Sequence, residues 1–353
     1  MKRIFLFTLC LMGLAFTATA QNFNRKEVKS LQTFLQQSSA GKGANLNQFK
    51  NLNINDPTTW EGVTWENGRV KSINWRGKNL AGTLSVDNFT SLQRLDISRN
   101  HLTALSAVGC VSLTTLDAVR NQLATLSIDG CTGLRTLNVS RNRLTNIDFT
   151  SSTALETLNC AGNLFVEMSV SHADSLLTLN VQNCHLETLL VDSCARLQNL
   201  YCGYNQLTTV LLIDLPALET LNIDNNRIEQ FFVDGQKNLY SFSCNGNYMK
   251  SLTLTNCTSL SDVYCSDNNL SELNLSGSEN LTTVNCSNNS LTHLDLSNRQ
   301  MLQRVNASQN QLNYIDVSYC PNLMYLNFRY NPYVSLYTMG DYNLRMIAGI
   351  WGN

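Results

Sequence analysis

Leu134-Arg135-Thr136-Leu137-Asn138-Val139-Ser140-Arg141-Asn142-Arg143-Leu144 is one turn of a pattern that runs through most of the chain. Its frame, Leu-x-x-Leu-x-Val-x-x-Asn-x-Leu, returns as Leu218, Leu221, Ile223, Asn226 and Ile228. The asparagines alone trace it: Asn100, Asn121, Asn142, Asn163, Asn205, Asn226, Asn247, Asn268, Asn289, Asn310 and Asn331 lie on one series of step 21, and its one missing term is Cys184. A fixed period over many units means stacked coils, each contributing one supersecondary unit to a continuous core. The Leu-x-Leu alternation predicts a short strand whose apolar side chains point inward, and stacking such strands builds a parallel sheet. The frame Asn falls where the backbone leaves the strand, and its amide can satisfy bare N–H and C=O groups there, coil after coil.

The second half of each unit carries a smaller apolar pair, such as Leu273 and Leu275, Leu294 and Leu296, or Ile315 and Val317. Twenty-one residues leave no room for a long helix on the back, so an extended segment or a short second strand is expected. A weaker unit, Val70, Ile73, Trp75, Lys78 and Leu80, precedes the series and makes about thirteen coils. At strand spacing these form a sheet on the order of 60 Å long.

Of the twelve cysteines, all but Cys10, which lies in the apolar run near the start, follow the same frame. Cys160, Cys202, Cys244, Cys265 and Cys286 stand three before the frame residue, and Cys110, Cys131, Cys194, Cys257 and Cys320 ten after it. They alternate with Val, Ile, Leu, Ala or Ser, which is the behaviour of small buried hydrophobes rather than bridged pairs. There is no CxxC, and His101, His172, His185 and His293 are scattered, so no metal or other cofactor is expected.

These residues are those of leucine-rich repeats. The fuller unit, Leu281, Val284, Cys286, Asn289, Leu291, Leu294 and Leu296, resembles the internalin J type of bacterial leucine-rich repeat, with a ladder of inward cysteines. That resemblance implies a right-handed β-rich solenoid with its parallel sheet on the concave face. It also implies a secreted or surface protein that adheres through its repeats. Trp60-Glu61-Gly62-Val63-Thr64, Gly68-Arg69-Val70 and Asn79-Leu80-x-Gly82 are similar to the N-terminal cap of plant receptor-type repeat proteins, without that cap's paired cysteines.

Lys2 and Arg3, the apolar run Ile4 to Phe16 and Ala18-Thr19-Ala20 read as a signal peptide over 1–20, in a style similar to that of Bacteroidetes. The expected organisation is then an N-terminal cap over 21–69, with a short amphipathic helix bearing Val28, Leu31, Phe34 and Leu35, repeats over 70–336, and a C-terminal cap over 337–353 sealed by Ile347 to Trp351. No later stretch reaches the roughly 18 apolar residues of a membrane span. Export to the periplasm, the cell surface or the medium is expected, as a monomer. A net charge of -1 with 14% charged residues speaks against a nucleic-acid binder.

Outward positions are where a partner, protein or glycan, would bind. The column four before the frame Asn is mostly amide or acid, from Asp96, Asp117 and Asn138 to Asn306 and Asn327, and suits either solvent or sugar hydroxyls. The column just before the frame begins Arg99, Arg120, Arg141. Beside Asp96 and Asp117 it reads as exposed ion pairs or as a dock for an acidic glycan. Tyr201, Tyr204, Tyr240 and Tyr264 break the amide columns as candidate anchors, or through lateral packing. Tyr325, Tyr330 and Tyr333 form a second group, as anchors or as part of the cap. No paired carboxylates or activated nucleophile stand out, so a binding module is favoured over a carbohydrate-active β-helix enzyme. A bacterial protein–protein scaffold is the other non-catalytic reading.

Overall fold

The computed structural model describes residues 22–340 and 343–349. The expected signal peptide at 1–20 and Trp351 lie outside them. Within them the chain is a leucine-rich-repeat solenoid of about thirteen coils, built on a 15-stranded sheet.

The sheet opens with a hairpin, Val63–Glu66 antiparallel to Arg69–Asn74. Its turn is Asn67-Gly68, both at positive φ (52° and 75°), the geometry that Asn-Gly adopts at least strain. Parallel strands of three residues follow in strict register, so that Leu95, Leu116, Leu137 and Leu158 pair in succession. In each but the last, Met346–Ala348, the central residue is buried and its neighbours are partly or fully exposed, as at Thr136–Asn138.

The back wall is strand too, but interrupted. Four ladders of three strands cover it, for example Glu167–Ser171, Thr188–Asp192 and Thr209–Ile213. Two left-handed corners close most coils, Ser151 being an exception at the second. One is the residue before the frame Asn, and the other follows ten residues later, at Gly109, Gly130, His172, Ser193, Asp214, Gly235 and onward.

The frame asparagines join the coils. Asn142 Oδ1 accepts the Leu123 N–H at 3.0 Å, and its Nδ2 donates to the carbonyls of Ala118 and Val139 at 3.0 and 2.8 Å. The same triad recurs at Asn121, Asn205 and Asn247. All four are buried in the wall, where an unpaired backbone group is expensive.

The eleven described cysteines are buried, and the ten from Cys110 to Cys286 form no disulfide. Those three before the frame behave chiefly as small hydrophobes, with Cys202 also donating S–H to the Asn222 carbonyl at 3.4 Å. The other column does more than sequence suggests: Cys110, Cys131 and Cys320 each donate S–H to a carbonyl of the preceding coil at 3.0 to 3.1 Å. Ser278 and Arg299, at the same frame position, reach the corresponding carbonyls of Leu254 and Leu275. This column therefore stitches the back corner as the asparagines stitch the front.

At the N-terminal end, helix α1 (Arg25–Leu35) covers the first coil with Leu31, Phe34 and Leu35, and Phe34 stacks on Trp75 at 5.7 Å. Glu27, almost fully buried, accepts from Arg69 Nε at 2.7 Å and from the Val70 N–H at 2.8 Å, which ties the helix to the first strand. At the other end, strand Ser335–Tyr337 straddles position 336, and Met346–Ala348 pairs with Tyr325–Asn327 as the last strand of the long sheet. Ile347, placed in the expected seal, is half exposed.

Candidate binding face

Each strand of the long sheet turns two side chains outward, six and four residues before the frame Asn. The outer column is chiefly Thr, as at Thr115, Thr136, Thr157 and Thr178. The inner one is the Asp and Asn column, and the structure gives it a local duty. The side-chain oxygen accepts the backbone N–H two residues on, at 2.9 Å from Asp96 to Ser98, 3.2 Å from Asn138 to Ser140 and 3.0 Å from Asp117 to Val119. These are Asx turns that end the strand. The column is thus built for the bend; Asn222 and Asn327 also donate their amides to Asp224 and Asn306, while the N–H2 groups of Asn285 and Asn306 stay unused.

The arginine column stands elsewhere than expected. Arg99, Arg120 and Arg141 have φ of 56°, 58° and 57°, so they occupy the left-handed corner beyond the strand rather than an outward strand site. Gly162, Asn183, Asn225, Gly246 and Asn288 fill the same corner in other coils, as residues that tolerate this backbone. The expected ion pairs with Asp96 and Asp117 are also absent. Among the described residues the three arginines form no salt bridge, and one oxygen of each aspartate is held by its own turn. Three exposed guanidinium groups therefore line one corner in consecutive coils, roughly 5 Å apart by strand spacing.

The four tyrosines are not gathered into one patch. Tyr201 and Tyr264 stand on the sheet face in the Asx column, three coils apart. Tyr204 is in the left-handed corner with φ 58°, and Tyr240 is on the strand's lead-in; both are more than half exposed. Tyr330 and Tyr333 are exposed as well, at 69% and 87%, so they do not close the core.

Tyr264 instead belongs to a group that sequence reading divided. With Arg304 and Tyr325 it borders a depression of about 310 Å³ whose floor holds Thr283, Asn285 and Asn306. Arg304 and Tyr325 are paired on adjacent strands, and the guanidinium lies over the ring, 5.3 Å from its centroid. The Tyr264 hydroxyl is pushed up in pKa by partial burial and then by Asp262, against the lowering influence of Arg304. Arg304 and Asp262 were missed because they look like ordinary surface charges. The available signal was positional: both stand in the column that is elsewhere mainly Thr.

Comparison with known proteins agrees with this architecture. The family model for leucine-rich repeats (2 copies) matches residues 195–235. YopM, a leucine-rich effector protein from Yersinia pestis, superposes with a TM-score of 0.63 at 24% identity, over 76% of this chain and 74% of that one. YopM from Yersinia enterocolitica gives 0.65 at 22%, over 79% and 62%. An internalin, inlF, from Listeria monocytogenes gives 0.54 at 16%, over 94% and 97%. These likenesses are to the fold.

Proposed function

We propose that this leucine-rich-repeat solenoid is a non-catalytic binding module that takes a protein or glycan partner on the solvent side of its long sheet. One observation carries the reading. The outward columns repeat small polar residues, chiefly Thr, Asn and Asp, for most of the sheet, and apart from Arg94, Tyr201 and Met346 the bulky or charged departures collect at Asp262, Tyr264, Arg304 and Tyr325. Aromatic rings beside an arginine are the residue types that concentrate binding energy. A solenoid also presents such groups on a long surface, as repeat proteins do for their partners.

The chemistry of the remaining groups favours binding over catalysis. Burial pushes the Cys110 and Cys202 thiols up to about 12, which makes them poor nucleophiles. Asp96, Asp117, Asp295 and Asp316 each accept a backbone N–H at a turn. Among the described residues no helix is long and apolar enough to cross a membrane. Export by the 1–20 segment, to the periplasm, the cell surface or the medium, is part of the proposal. So are a monomeric state and a bacterial, internalin J-like adhesive role, the Bacteroidetes-style leader suggesting the source. A scaffold holding another bacterial protein would use the same face.

The test is a protein and glycan array probed with the purified chain at low and physiological salt. Two variants run beside it: Arg99, Arg120 and Arg141 changed to Ser, and Tyr264, Arg304 and Tyr325 changed to Ala, Gln and Ala. Loss of the captured partner in the second variant alone supports the sheet face, and loss in the first alone moves the site to the arginine corner. A partner retained by both would exclude both surfaces.

A further inference from the structure

We infer that the depression between Tyr264 and Arg304 is a subsite for an acidic sugar, a uronate unit within a glycan; this deepens, and rests on, the sheet-face reading above. The case begins with what the lining offers. Asn285 Oδ1 accepts from Ser287 N and Oγ, and Asn306 Oδ1 accepts from Ser308 N and Oγ and from Asn327 Nδ2. Both oxygens are therefore engaged. The two Nδ2 groups donate to nothing among the described residues, and the Arg304 guanidinium makes no salt bridge or hydrogen bond there. The floor is thus rich in unused N–H donors and poor in free acceptors, these being the Thr283 and Tyr264 hydroxyls, with the Asp262 carboxylate beside Thr283 on the Tyr264 strand, two strands from Arg304.

Geometry narrows the ligand further. The Tyr325 ring supports the guanidinium from one side, which holds its planar fork ready for a carboxylate. Tyr264 supplies a partly exposed aromatic surface two coils away, roughly 10 Å along the sheet by strand spacing. A ligand that fills both positions needs an apolar face at one end, a carboxylate at the other and oxygens between. A pyranose chain with a uronate meets each demand: ring C–H groups on Tyr264, hydroxyl oxygens at Asn285 and Asn306, and the carboxylate at Arg304. An acidic peptide fits less well, because an extended backbone brings as many N–H groups as C=O groups to a floor that is mostly donors. The depression, about 310 Å³, lies at the small end of the ~300–1,000 Å³ range of ligand pockets, which suits a short stretch of a glycan.

The experiment is calorimetric titration of the purified chain with trigalacturonate, the neutral galactose trisaccharide and hexaglutamate, at low and physiological salt. The expected result is binding of trigalacturonate at least ten times tighter than of the neutral trisaccharide, weakened by salt. Arg304→Gln should erase that preference, and Tyr264→Ala should weaken both sugars. The Arg99, Arg120 and Arg141 triple Ser variant should titrate like the parent, and thermal melts should show all variants folded. Equal binding of acidic and neutral sugars, or an unchanged Arg304→Gln titration, overturns the proposal. Arg304-dependent binding of hexaglutamate without trigalacturonate replaces the sugar with a peptide. If no sugar binds while the array partner is still lost in the Tyr264, Arg304 and Tyr325 variant, the subsite fails and the sheet-face reading stands.

Discussion

Arg304 and Tyr325 are partners on adjacent strands, with the guanidinium over the ring at 5.3 Å from its centroid. The pair is exposed on the arginine side, so its contribution to stability is small, about 0.5–1 kcal/mol. Tyr325→Ala should therefore unfold in urea within about 1 kcal/mol of the parent, while partner binding at the sheet face falls. A loss of several kcal/mol would instead mark Tyr325 as a structural residue of the last coils.

The frame asparagines are a different matter. Asn142→Ala removes the acceptor of the buried Leu123 N–H and the donors to Ala118 and Val139. Stranded backbone groups of this kind make a loss of about 2–4 kcal/mol the expectation, read from urea or thermal melts. A change below 1 kcal/mol would mean that the coil relaxes around the gap.

Cys184 is the natural exception and offers the reverse experiment. Its thiol donates to the Cys160 carbonyl at 3.3 Å but presents no amide oxygen to the Phe165 N–H, the group that the frame Asn serves in neighbouring coils. Cys184→Asn should complete the ladder and raise stability by about 1 kcal/mol. A destabilised variant would show that this site is shaped for sulfur.

Arginine in a left-handed corner is strained relative to asparagine. Arg120→Asn should accordingly leave stability unchanged or raise it by about 0.5 kcal/mol, which melts of the single variant will show. If the variant is clearly less stable, the Arg120 side chain is holding the corner.

The cysteine ladders predict an alkaline limit. Burial first, opposed in part by hydrogen bonding at some sites, raises Cys110 and Cys286 to about 12 and Cys131 and Cys184 to about 11, from an ordinary value of 9.0. The folded chain therefore holds these protons longer than the unfolded chain. Their stabilisation is complete below pH 9 and drains as pH rises through the folded values. Melting temperature should fall steeply above pH 9 and much less in variants with the cysteines replaced by Ala or Val. Native thiols should also react slowly with alkylating reagents at pH 8 until denaturant is added.

The coil, its inward strand and the role of the frame Asn could all be read from residues such as Leu137, Leu221 and Asn142, because a strict period leaves one register and a buried bend leaves one use for an amide. The corners were less legible. Arg99 beside Asn100 resembles an outward strand residue, and only its company in the column, Gly162, Gly246 and Asn225, betrays a positive φ. The second cysteine column reads as apolar although Ser152, Gln236, Ser278 and Arg299 share it with Ala173 and Leu215, because the S–H bonds across coils depend on a carbonyl 24 residues earlier. The grouping of Tyr264 with Arg304 and Tyr325 was hidden for a similar reason. Tyr264 stands four before its frame Asn whereas Arg304 and Tyr325 stand six before theirs, and only the register of the parallel strands brings the two columns to one depression.

The most direct test of a sheet-face binding module is the partner array run with the parent chain and the Tyr264→Ala, Arg304→Gln, Tyr325→Ala variant at matched folding. The account predicts a partner captured by the parent and lost by the variant, with the Arg99, Arg120 and Arg141 variant still binding. A partner held equally by parent and sheet-face variant would contradict it and place binding on another surface of the solenoid.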